Sequence, residues 1–134
     1  MKRLLVLIFS TCAYACAQEP PLPETVQSAI EYKSVSEALA GLRAKLGTEI
    51  SKQGDWTIVI EPETNVIWSF APENHPAYPA MVKRAVISEH GSVSVKMDVN
   101  CEASKEACDA LVHEFIRLNE NMRSSFQSKE KKSD

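Results

Sequence analysis

Three histidines, His75, His90 and His113, are the first side chains in this 134-residue chain to consider for chemistry, and each falls in a different stretch. None stands in a metal-ligand spacing: there is no H-x-x-x-H pair, and His113-Glu114 does not open H-E-x-x-H. A zinc site would have to be assembled from distant parts, so His90 reads as a turn residue and His113 as part of a helix face. Nucleophilic catalysis has no better footing. There is no G-x-S-x-G elbow, and four glycines give no loop to cradle a phosphate. Acidic pairs such as Glu61 with Glu63, or Glu102 with Glu106, sit in polar surroundings, whereas a general acid needs a desolvated site to raise its pKa. The sequence therefore assigns no catalytic residue, no metal and no cofactor.

Cysteine chemistry points to structure instead. Of four cysteines, Cys12 and Cys16 belong to an N-terminal leader, which leaves Cys101 and Cys108. Seven residues along one helix span about 10 Å, beyond disulfide reach. A bond between these two requires Cys101 to precede the helix, on a segment folded back over its first turn, and Ser104 as N-cap permits that. The C-x-x-C spacing of a redox pair is absent. A bonded pair also removes any Cys–His dyad.

The leader itself reads as a signal peptide over residues 1–17. Met1-Lys2-Arg3 is a basic start, Leu4 to Phe9 an apolar block, and Ala15-Cys16-Ala17 a small-residue cleavage site; Ala13-Tyr14-Ala15 is the other frame. The block is too short for a permanent membrane span, which needs about 20 residues. A lipid anchor on Cys16 is the alternative, against which Ala13 stands where a Leu-like residue is usual. The expected location is the periplasm or the medium, where a disulfide persists. Cleavage would remove Lys2 and Arg3 from a chain with 15 Lys+Arg and 18 Asp+Glu, making it more acidic than the formal −3. Nucleic acid, which needs a basic stripe, is excluded as a partner.

What the elements must position follows from periodicity. Residues 18–33, with Pro20, Pro21 and Pro23, form an extended leader in which Ala29–Tyr32 is its end or a short strand. One domain is expected over residues 34–122. Ser34 with Glu37 is a capping box, and Val35, Ala38, Leu39, Leu42 and Leu46 follow at helical spacing to a stop at Gly47. Thr48–Asp55 is polar, with Gly54-Asp55 a turn. Trp56–Glu61 and Val66–Phe70 read as an antiparallel hairpin. After Ala71–Pro79, with its three prolines, Ala80–Arg84 reads as one helical turn and Ala85–Ser88 as a third strand. His90-Gly91 turns into a fourth, Ser92–Asn100. A second helix runs from about Ser104 to Met122, with a stripe of Cys108, Leu111, Val112, Phe115, Leu118 and Met122, before a polar flexible tail, 123–134.

The expected class is α+β: an antiparallel sheet of about four strands, order α-β-β-loop-β-β-α, with two helices on one face and one disulfide. The other face of the last strand, carrying Ser94, Lys96, Asp98 and Asn100, should be wet.

The proline segment is the one stretch that reads as a binding surface. His75 and Tyr78 are amphipathic recognition residues held between Pro72, Pro76 and Pro79, so little entropy is lost when they dock. Lys83 and Arg84 can take a carboxylate or other anion, and Trp68 can line the same patch. Tyr78-Pro79, Lys83-Arg84 and Gly91-Ser92-Val93-Ser94-Val95 through Val99 resemble the opening of a TonB C-terminal domain. That family has Y-P, a short helix and a G-x-V-x-V strand, and docks onto outer-membrane receptors. The resemblance covers Tyr78–Val99 alone and stops at Cys101, where this chain turns into a helix; no functional residue is carried over. The expected role is a small exported accessory protein that binds a protein or envelope component through residues 71–84. A small-molecule carrier or small enzyme with a pocket invisible to pattern, and a structural envelope protein, are the alternatives.

Overall fold

The computed structural model describes residues 29–130. They run α1 (Val35–Ala44), β1 (Glu49–Gln53), β2 (Trp56–Glu61), a 3-10 turn (Pro62–Thr64), β3 (Val66–Phe70), β4 (Ala80–Glu89), β5 (Ser92–Cys101) and α2 (Lys105–Glu130). The expected signal peptide, with Cys16, and most of the expected proline-rich leader lie outside the described residues. All five strands pair antiparallel in chain order as a single meander. The α+β class and the Cys101–Cys108 bond are present, but the strand count, the element order and the placement of the helices differ from expectation.

The extra strand is β1. Its five residues are all exposed, so no alternation of apolar and polar side chains marks it. Backbone pairing with β2 creates it, across a tight turn at Gly54-Asp55 in which Gly54 takes φ +57°. The second difference lies at Ala80–Arg84, which is the first half of β4 and not a helical turn. Ala80 pairs with Cys101 and Met81 with both Phe70 and Asn100, so both sides of this stretch are committed to ladders.

The two helices lie on opposite faces of the sheet, not on one. Val59, Trp68, Phe70 and Met81 point to one face, where Val35, Ala38 and Leu42 of α1 close a core. Side chains in a strand alternate, so Val82, Met97 and Val99 point to the other, where Leu111 and Phe115 of α2 close a second core with Ala71, Ala77 and Ala80. A half-wet sheet would leave one of these rows in water; the central strands are apolar on both sides and need two covers.

The caps agree with the sequence in part. Ser34 Oγ accepts from Glu37 N at 3.1 Å, while Glu37 Oε2 accepts from Lys33 N at 3.0 Å, one residue earlier than a capping box prescribes. Glu102 Oε1, just past β5, also accepts from Val35 N at 2.9 Å, placing a carboxylate at the positive end of α1. Leu46 falls beyond the end of α1 and is 96 % exposed, so it is not part of the stripe. In α2, Ser104 Oγ accepts from Ala107 N at 3.3 Å, the cap expected for Cys101 to stand outside the helix. The helix continues past Met122 to Glu130, with its last turns solvated but helical.

Residues 29–33 are docked. Ala29 N donates to Asp98 Oδ1 at 3.1 Å, Lys83 Nζ donates to Ala29 O at 3.5 Å, and Ile30 and Tyr32 pack against the α1 core. Gly41 makes room for the Tyr32 ring: a Cβ there would stand 2.8 Å from Tyr32 Cε1. The face of β5 expected to be wet is therefore exposed at Ser94 and Lys96 and half-buried at Asp98 and Asn100.

Candidate binding surface

The proline segment is fixed by its own backbone. Ala71 N donates to Ala80 O at 3.0 Å, closing the loop at its base; His75 N donates to Pro72 O and Tyr78 N to His75 O, each at 2.9 Å. Ala77 N donates to His75 Nδ1 at 3.1 Å, so the neutral His75 ring carries its proton on Nε2, which stands 3.8 Å from Glu114 Oε2 on α2. The His75 ring meets Trp56 edge-on, centroids 5.0 Å apart, and Trp56 in turn meets Phe115 at 5.6 Å. Ala77 is fully buried beneath the loop, and Glu102 N, beyond the last strand, donates to Pro79 O at 2.8 Å. What this frame presents to solvent is Glu73, Asn74, Pro76 and Tyr78, the last 43 % exposed after the buried Ala77 and before a cis Tyr78–Pro79 peptide.

The five residues grouped by sequence do not meet on one surface. Adjacent positions on β4 send Lys83 and Arg84 to opposite faces. Lys83 Nζ lies 5.1 Å from the centroid of the Trp68 ring, on the α1 side, where Trp68 is buried. Arg84 lies under α2, buried, with its guanidinium carbon 5.2 Å from the Phe115 ring. His75 belongs to that α2 side, and Tyr78 stands exposed at the end of the sheet where β4 begins. Trp56, Glu114 and Phe115 enter the surroundings of these residues with no site motif to announce them: Trp56 is legible as a strand residue and Phe115 as part of the α2 stripe. Glu61, expected in polar surroundings, is instead buried against Trp68, because it closes β2 beside the α1 core.

Among the described residues three charged groups depart from their ordinary pKa: Glu61, Lys45 and Arg84. Burial alone would raise the Glu61 carboxyl, but hydrogen bonds from Lys45 Nζ and from Trp68 Nε1, the latter at 2.6 Å, with the charges of Lys45 and Lys83, outweigh it and hold its pKa below 4.5. The same hydrogen bond and charge raise the Lys45 ammonium above 10.5. Glu61 thus stabilises the fold fully above pH ~4.5 and loses that contribution as pH falls through its depressed folded pKa. Glu61→Gln should melt below the parent at pH 7, with the gap narrowing as pH falls below about 4.5 through the depressed folded pKa; a gap that does not narrow on acidification in thermal melts would contradict this. The third is Arg84, whose pKa burial lowers from the usual guanidinium range.

Among the described residues no group of three His, Cys, Asp or Glu side chains could hold a metal ion, and no helix is long and apolar enough to cross a membrane. No protein-family model, no curated protein and no solved structure matches this chain. The local likeness of Tyr78–Val99 to the TonB opening parts from it structurally as well: where that family has a short helix after Y-P, this chain enters β4 at once.

Proposed function

We propose that this protein is a small exported accessory module that binds a protein or envelope component through the proline segment 71–79 of the expected 71–84 stretch, with Tyr78 at the centre of the contact. The observation that supports this best is the preformed loop: its backbone donors at Ala71, His75, Ala77 and Tyr78 all have acceptors, while Tyr78 itself projects into solvent. An exposed aromatic on a fixed frame binds without the cost of ordering the loop, and tyrosine is among the residues that dominate interface energetics. The disulfide and the basic, apolar, small-residue pattern of residues 1–17 fit an oxidising compartment.

The test is capture from envelope extract by the tagged chain beside its Tyr78→Ala variant. Tyr78 is outside both cores, so the variant should keep its circular dichroism and melting temperature. Retention of a partner should fall by at least ~10-fold, as hot-spot tyrosines do when truncated. A partner held equally by both chains would contradict this reading.

A further inference from the structure

Arg84 is 7 % exposed, and its guanidinium is charged at any physiological pH with five N–H donors to satisfy. Its described contacts are poor ones. Nη1 faces Met122 Sδ at 3.4 Å, Nη2 reaches Ser69 Oγ at 3.5 Å, and Nε has no partner. No carboxylate among the described residues lies within ion-pair distance. With the Phe115 ring 5.2 Å from the guanidinium carbon as its other contact, the buried charge is poorly compensated, and an anion reaching it would relieve that cost. Such an anion has a way in: Arg84 lines a recess of about 150 Å³ between the sheet and α2, with Trp56, Phe115 and Leu118 as apolar walls, Ser69 beside the guanidinium and Glu114 also on the wall.

We propose that this recess is a binding site for a small monocarboxylate with an apolar body, of which benzoate is the simplest representative. Size sets the body: a recess of about 150 Å³ with Trp56, Ile58, Phe115 and Leu118 on its apolar part has room for one small ring or short chain, while Gln53, Ser69 and Glu114 line the rest. Charge sets the head: the Arg84 guanidinium lines the recess, and a carboxylate is the anion its planar N–H donors pair with best. Glu114, on the same wall, opposes added negative charge, so a dicarboxylate is expected to bind more weakly than a monocarboxylate. The ring or short chain lies against Trp56 and Phe115. The site is independent of Tyr78, which stands outside the recess.

A two-dimensional NMR titration of the isotope-labelled, disulfide-intact full chain tests it, with the Trp56 indole and Arg84 Nε–H signals as reporters. Benzoate should shift both saturably and bind at least ~10-fold tighter than neutral benzamide, the difference made by a charge-assisted pair. Terephthalate, with a second carboxylate, should bind more weakly than benzoate. Arg84→Met should lose the response while the Trp68 indole signal, in the other core, reports an intact fold; should that variant not fold, the benzoate–benzamide comparison on the parent chain decides. Absence of a saturable benzoate shift, equal binding of benzamide, or retained binding by folded Arg84→Met would each overturn the proposal.

Discussion

Alanine at Trp68 is expected to lower the stability of the fold by about 3–5 kcal/mol, the range for removing a large aromatic from a packed core. This side chain is 2 % exposed and is where several parts of the α1 side converge. Tyr32 meets its ring edge-on at 5.8 Å, Lys83 Nζ stands 5.1 Å from its ring centroid, and Val59, Phe70, Met81 and Leu42 share its cluster. Its Nε1 donates to the buried Glu61 carboxylate. Trp68→Phe separates packing from polarity: most of the ring volume remains, but Glu61 loses a donor, which costs about 1–3 kcal/mol for a charged acceptor. Urea unfolding measures both through the midpoint at unchanged slope. A loss below ~1 kcal/mol for Trp68→Ala would mean that this core is not as described.

The second large effect belongs to the disulfide. Cys101 closes β5, Cys108 lies in the first turn of α2, and their Cα atoms are 5.8 Å apart. For a loop of this length the chain-entropy relation gives about 2.5 kcal/mol, or a drop of roughly 10–20 °C in melting temperature for a domain of this size. The double variant Cys101→Ala/Cys108→Ala, compared with the oxidised parent by calorimetry, measures it. The consequence extends to the loop. The bond fixes the turn in which Glu102 N donates to Pro79 O, and the Cys101 sulfur sits 3.5 Å from the Ala77 carbonyl. The double variant should therefore also show faster amide exchange at Ala77 and Tyr78. Unchanged exchange there would disconnect the staple from the proline segment.

Much of this architecture is legible in residue order, and its gaps have physical reasons. Ser34, Gly54, His90-Gly91 and Ser104 act locally, through caps and positive-φ turns, so sequence reads them well. The β5 alternation and the spacing of Cys101 and Cys108 are legible for the same reason. By contrast β1 has no internal signal, because its only partner is another strand and all of its side chains face water. The second helix-covered face did leave a trace: Ile58–Ile60 and Ala80–Val82 are continuous apolar runs, the mark of strands buried on both sides. Ala80–Arg84 follows three prolines closely, and five residues are too few to separate a turn of helix from a strand by period alone. The candidate site divides along the same line. Tyr78 as an exposed loop aromatic is legible, whereas the parting of Lys83 from Arg84 follows from β4 being a strand, and the unpaired state of Arg84 follows from tertiary packing alone.

The most direct measurement of the binding role is photocrosslinking in the native cells, with a benzophenone amino acid placed at Tyr78 in one version of the chain and at His90 in another. His90 is also exposed but turns the β4–β5 hairpin, at the opposite end of β4 from Tyr78. The account predicts a discrete crosslinked product from position 78 and none from position 90. No product from position 78, or the same product from both, would contradict a recognition surface built on the proline segment.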